Sequence, residues 1–143
     1  IDQTRGAGGR GGGSTLVYCG TTKAAEHVAA GLARKYGDGA VRCYHGKLPL
    51  PARQAAHEAF LTGAAPIVVG TSAFGMGIDK ADIRCVINWD APKTVEEWWQ
   101  MVGRAGRDGL PARSLLLHSP SDFTRYSADF YTKGMAPHAV AAV

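Results

Sequence analysis

The chain has 143 residues, of which 45% are apolar and 20% charged, with a formal net charge of +4 and a pI near 9.1. That length holds one domain with one core, and the composition excludes a disordered chain. The basic excess is compatible with a polyanionic partner but is too mild to argue for one by itself.

Residues 1–14 (IDQTRGAGGRGGGS) are dominated by glycine and read as a flexible linker or insertion; Arg5 and Arg10 are too few for an RNA-binding Gly-Arg segment. Thr15–Cys19 reads as a strand. Thr21 or Thr22 caps a helix through about Tyr36, in which Ala25, Val28, Ala29, Leu32 and Tyr36 repeat at helical spacing. Gly37 and Gly39 end it. Val41–Tyr44 reads as a second strand, and Pro51 suits the first turn of a helix over about Ala52–Leu61. Ile67–Val69 and Ile83–Trp89 are apolar without alternation, as strands covered on both faces are. Thr94 and Glu97 form a capping box for a helix that carries Trp98, Trp99 and the following glycine-arginine segment. Leu115–Leu117 is the last strand candidate, and Ser119-Pro120-Ser-Asp122 starts a final helix.

Strands alternating with helices imply an α/β fold with a doubly wound, mostly parallel sheet, flanked by helices. The domain is expected over 15–133, with a flexible tail over 134–143. Ligands of such sheets gather at the carboxyl ends of the strands, here the loops after Cys19, Tyr44, Thr71 and Trp89. The three cysteines, Cys19, Cys43 and Cys85, stand far apart without metal-ligand spacing, so they read as reduced thiols of a cytosolic or nuclear protein, and no metal site is expected. No apolar run reaches the roughly 18 residues of a bilayer span, so no membrane partner is expected. A first residue Ile1 rather than Met suggests a piece of something larger.

The most informative segment is Gln100-Met-Val-Gly-Arg104-Ala-Gly-Arg107-Asp-Gly109. On a helix, residues 100, 104 and 107 share one face, presenting an amide and two guanidiniums. Glycine inside a helix costs about 1 kcal/mol relative to alanine, so Gly103 and Gly106 call for a closely approaching surface. Two arginines on such a face suit a triphosphate whose charge is neutralised during transfer; the alternative is a solvated basic helix end. The second segment, Gly70-Thr71-Ser72-Ala-Phe74-Gly-Met-Gly77-Ile-Asp79-Lys80, follows a strand directly. Its small residues let amides approach an anion, and Asp79 suits a ribose hydroxyl or the arginines. A tight turn with a capping aspartate is the plainer alternative.

The strings YHGKL, TSAFGMGIDKADIR and QMVGRAGRDGLPA resemble motifs of superfamily 2 helicases, specifically the RecQ family and its Werner-type members, and the resemblance covers about Ser14 to Tyr131. It implies the second RecA-like lobe of an ATP-dependent DNA helicase, with ATP and Mg2+ bound mainly by a first lobe of the same polypeptide and DNA running across both. By match, Arg107 resembles the arginine finger, Arg104 its phosphate-contacting partner, and Gln100 the residue linking ATP to DNA. Asp79 and Gly77 match positions beside the nucleotide. Thr71 and Ser72 match DNA-phosphate contacts, with Thr21, Thr22 and Lys23 acting likewise. His45 and Arg53 match positions flanking the DNA-side loop, His45 being either a DNA contact or a structural loop histidine, and Lys47 either adds a phosphate contact or is merely exposed. The family has His-Ala-Gly-Leu where this chain has His45-Gly46-Lys47-Leu48, and tyrosines are commoner where Trp98 and Trp99 stand; one of these is expected in the core, the other free to stack. The resemblance further implies three-prime to five-prime movement, work in DNA repair and recombination, and a nuclear location in a eukaryote or a cytoplasmic, nucleoid one in a bacterium.

No phosphate-cradling Gly-x-x-x-x-Gly-Lys-[Ser/Thr] string and no Asp-Glu-x-His pair occur, so the lobe by itself is expected to be inactive. Two rival readings remain. A DEAD-box RNA helicase lobe would carry His-Arg at the Gln100 and Met101 positions. A non-catalytic nucleic-acid-binding module would have no need of Gln100, Arg104 and Arg107 together.

Overall fold

The computed structural model describes residues 1, 12–75 and 78–119. In chain order they form β1 (Ser14–Tyr18), α1 (Thr22–Tyr36), a short 3-10 turn (Asp38–Ala40), β2 (Val41–Tyr44), α2 (Leu50–Leu61), β3 (Ile67–Gly70), β4 (Ile83–Asn88), α3 (Val95–Val102) and β5 (Arg113–Leu116). The strands make one sheet in the order β2-β3-β1-β4-β5, with all four pairings parallel. β1 lies at the centre, and Val17 faces Val69 on one side and Ile87 on the other.

Alternate residues of the central strands point to opposite faces. Val17, Cys19, Val69, Cys85 and Ile87 pack against Ala25, Val28 and Ala29 of α1. Leu16, Tyr18, Val68 and Val86 pack on the other face, against Phe60 of α2 and Met101 of α3. Both faces are therefore covered, which explains apolar runs without polar alternation. The connection from β3 to β4 adds Phe74 and Ile78 to the second face, so a loop rather than a helix fills that part of the core.

Several boundaries differ from the sequence reading. β1 begins at Ser14, inside the stretch expected as linker, where the Ser14 N–H donates to the Asp82 carbonyl at 3.0 Å. α2 starts two residues early, at Leu50, with Pro51 in its first turn as expected. α3 stops at Val102, so the glycine-arginine segment is not helical: Gly106 and Gly109 adopt φ values of 64° and 78°, and residues 103–108 form successive turns. A residue with a Cβ adopts such angles at a cost, which accounts for Gly109; at Gly106 a Cβ would also fall 2.9 Å from the Leu110 carbonyl oxygen, so a close neighbour is present there. β5 is shifted to Arg113–Leu116 and is exposed along its length. The helix expected from Ser119, the tail and most of the glycine-rich N-terminus lie outside the described residues.

Phe74 is 2% exposed and stacks at 4.6 Å from Tyr44 and 5.7 Å from Phe60. Phe74→Ala should therefore cost about 3–5 kcal/mol of unfolding free energy. Urea denaturation measures it, and a loss under about 1 kcal/mol would show that the loop is not part of the core.

Candidate functional site

Because every strand runs the same way, the segments after β1, β2, β3 and β4 emerge at one edge of the sheet. After β1, the Gly20 N–H donates to Asp90 Oδ2 at 2.8 Å, tying this loop to the one after β4. Thr21 caps α1, its Oγ1 accepting from the Ala24 N–H at 3.1 Å. That hydroxyl is engaged in the fold, while Lys23 beside it is exposed and Thr22 half-buried. After β2, His45 is only 2% exposed and its Nε2 lies 3.0 Å from Glu26 Oε1 on α1. The ring is not presented at the surface, so of the two readings of His45 the structural one fits. Lys47 is exposed and Arg53 half-buried.

The loop after β3 contributes Thr71, half-buried, Ser72, exposed, and Asp79, 89% exposed at its side chain. Gly77 lies outside the described residues. After β4, the capping box forms: Thr94 Oγ1 accepts from the Glu97 N–H at 3.1 Å, and the Glu97 carboxylate accepts from the Lys93 N–H at 3.0 Å, one residue further back than expected. Trp98 is half-buried and Trp99 is 68% exposed, their rings 6.2 Å apart, so the expected core tryptophan is only half inside.

These segments meet at a small pocket lined by Tyr18, Ser72, Gly75, Glu97, Gln100 and Arg104, floored by Met101. Arg104 reaches it from the turn after α3. A Cβ at position 75 would fall 2.9 Å from Arg104 Nη2, so the absence of a side chain at Gly75 gives the guanidinium its place. Burial pushes the Tyr18 phenol up to about 12, against the pull of the Arg104 guanidinium. Arg107, three residues on, points elsewhere: its side chain is 41% exposed and its Nη1 donates to Asp79 Oδ1 at 3.0 Å. Gln100 and Arg104 thus line one pocket while Arg107 pairs with Asp79 outside it, and the three do not share one helical face. Both arginines stand at open surface. Of the two roles weighed for Asp79, contact with an arginine is the one present.

Sequence reasoning missed Tyr18, Glu97, Arg84 and Asp108 as parts of this region. Arg84 carried a readable signal, a charge in the middle of an otherwise apolar strand. Among the described residues no helix is long and apolar enough to cross a membrane, and no three metal-ligating side chains gather. The three cysteines are free; burial raises the thiol of each, that of Cys19 to about 12.

A five-stranded parallel sheet with helices on both faces and an arginine-lined pocket at its carboxyl edge defines a RecA-like lobe. The model of the helicase conserved C-terminal domain matches residues 8–109, and the chain belongs to that family. Within it the lobe is of the RecQ type. It is 46% identical over 111 residues to the bifunctional 3'-5' exonuclease/ATP-dependent helicase WRN of Mus musculus, covering 78% of this chain and 8% of that protein. It is 42% identical over 111 residues to the probable ATP-dependent DNA helicase RecS of Bacillus subtilis, covering 78% and 22%. With the ATP-dependent DNA helicase RecQ of Pasteurella multocida the identity is 37% over 115 residues, covering 80% and 18%. The chain therefore spans at most about a fifth of the length of these relatives. Among solved structures, the C-terminal domain of the DEAD-box protein Dbp5 superposes with a TM-score of 0.64 at 23% identity, covering 86% of this chain and 72% of that one. The Mycobacterium smegmatis helicase Lhr bound to ssDNA and AMP-PNP gives 0.67 at 23% identity, covering 81% and 17%. These two likenesses concern the fold.

Tyr18 and Cys19 both have folded-state pKa values raised above their ordinary values of 10.0 and 9.0, to about 12. Each stabilises the fold fully below its ordinary value, and that contribution is lost as pH rises toward 12. Unfolding free energy measured by denaturant should hence fall between about pH 9 and pH 12. Tyr18→Phe should flatten the upper part of the fall; an unchanged profile would contradict the burial assigned to the phenol.

Proposed function

We propose that this chain is the second motor lobe of an ATP-dependent DNA helicase and that Arg107 is its arginine finger, reaching the γ-phosphate of ATP held by a first lobe of the same polypeptide. The observation that carries this reading is the exposed Arg107–Asp79 pair, three residues along the chain from Arg104 and its pocket. An ion pair this exposed is worth about 0–1 kcal/mol, so a more highly charged triphosphate can take the guanidinium from Asp79 at little cost. Arg104, half-buried, supplies a second cation, and Gln100 lines the same pocket, suited to link nucleotide to DNA. Two guanidiniums fit phosphate oxygens; the Mg2+ that ATP brings would neutralise charge between its phosphates, held by carboxylates of the first lobe.

Lys47, Thr71 and Ser72 on loops, Thr22 and Lys23 in the first turn of α1 and Arg53 in the first turn of α2 offer cations and hydroxyls to a DNA backbone, with Thr21 supporting them as a helix cap. Movement in the three-prime to five-prime direction and work in DNA repair and recombination belong to this reading. So does a nuclear location in a eukaryotic cell, or a nucleoid one in a bacterium. The DNA-helicase names of the sequence relatives support it over an RNA helicase lobe, and the joint presence of Gln100, Arg104 and Arg107 supports a motor over a passive binding module.

In the longer polypeptide containing both lobes, Arg107→Ala should lower single-stranded-DNA-stimulated ATP hydrolysis by roughly a thousand-fold while DNA binding without nucleotide stays within a few-fold. The 143-residue chain by itself should hydrolyse no ATP. A hydrolysis rate indifferent to Arg107 would sink the reading.

A further inference from the structure

Arg84 is the charged residue of β4, and its side chain is 15% exposed. Its Nη1 donates to the Leu110 and Pro111 carbonyls at 3.1 and 3.4 Å. Its Nη2 donates to the Ala81 carbonyl at 3.3 Å and to the Asp108 carboxylate, with which it forms an ion pair. Its stem runs so close to Gly13 that any side chain there would overlap it. Asp108 is also tied to its own turn, Oδ1 accepting from the Leu110 N–H at 3.0 Å.

These acceptors come from two segments. Ala81 lies two residues after Asp79 in the loop that enters β4. Asp108, Leu110 and Pro111 lie just after Arg107 in the turns that follow α3. Neither segment is helix or strand, so neither has a regular hydrogen-bond ladder to hold its shape. The one guanidinium reaches both, and where the segments meet, Asp79 and Arg107 pair at 3.0 Å. Five donors in a rigid planar fork let one arginine reach four acceptors at once, more than the three donors of a compact lysine ammonium can serve.

We propose that Arg84 is a positioning residue for the Arg107–Asp79 pair: it locks the two irregular segments to each other and so sets where Arg107 projects, acting through Arg107 rather than on the nucleotide. This rests on the reading of Arg107 given above. A shift of about 1 Å in a reacting group can cost roughly a hundred-fold in rate, so loosening the turns is enough to matter.

The test is a double-mutant cycle in the two-lobe protein, with kcat and KM for ATP measured with single-stranded DNA present, alongside the thermal midpoint. Arg84→Lys should lower kcat roughly ten-fold or more while KM for ATP moves less than about three-fold. In an Arg107→Ala background, the same change should have no further effect on kcat. Should Arg84→Lys leave kcat intact, or lower it by the same factor in both backgrounds, the positioning role is wrong and Arg84 merely supports the fold. If Arg84→Lys does not fold, Asp108→Asn replaces it, removing the ion pair while keeping the polypeptide otherwise intact, with the same non-additivity expected. A normal rate in Arg107→Ala itself would instead overturn the functional reading. The positioning claim is then decided on the 143-residue chain by NMR: the Arg107 Nε–H signal should move in Arg84→Lys toward the position it takes in Asp79→Asn, where the pair is broken. An Arg107 signal that stays where it is in the native chain would overturn it.

Discussion

All five strands run parallel, and a parallel sheet has only one edge at which its strands end. Each strand-to-helix or strand-to-strand loop therefore starts from that edge, however far apart the loops are in sequence. Gly20 and Asp90, 70 residues apart, meet there. The core that enforces this arrangement is apolar on both sides of the sheet, so the strand order leaves little freedom to the loops it carries. Charged chemistry at the edge is a consequence of hydrophobic packing beneath it.

The loop from β3 to β4 joins the two levels most directly. It buries Phe74 and Ile78 and exposes Asp79, so adjacent residues belong to the core and to the site. Lys80 continues the pattern: its ammonium donates to the Leu61 carbonyl at the end of α2 at 3.1 Å and pairs with Asp82 at 3.0 Å. A segment so anchored has little room to move independently of the sheet. The exposure of Asp79 is then a fixed feature of the fold rather than a property of a loose loop.

The sequence made the regular elements legible and the irregular ones less so, for a physical reason. Hydrophobic periodicity reports which side of an element is buried, and it placed α1, β2 and β3 to within a residue. It says nothing about where a chain turns. The Gln100–Gly109 segment looked like one helical face because its polar residues fall at helical spacing. The glycines between them, Gly103 and Gly106, were read as a cost requiring a neighbour, whereas Gly103 caps the end of the helix and Gly106 takes a positive φ in the turns that follow. His45 shows the converse limit: a polar residue next to a lysine and a glycine looks exposed, yet it is buried through an acid on α1, 19 residues earlier. The bridge made by Arg84 depends on carbonyls, which every residue has and no sequence motif marks.

Gly75 illustrates how such dependence can hide. The space its missing side chain leaves is filled by the tip of Arg104, a flexible group with other places to go. A single added methyl there would displace a charge without opening a cavity or straining the backbone. Such a variant would look healthy by every measure of folding, with all its arginines present. A survey of this lobe that scores only its charged positions would pass over a change of this kind, although it acts by moving one of them.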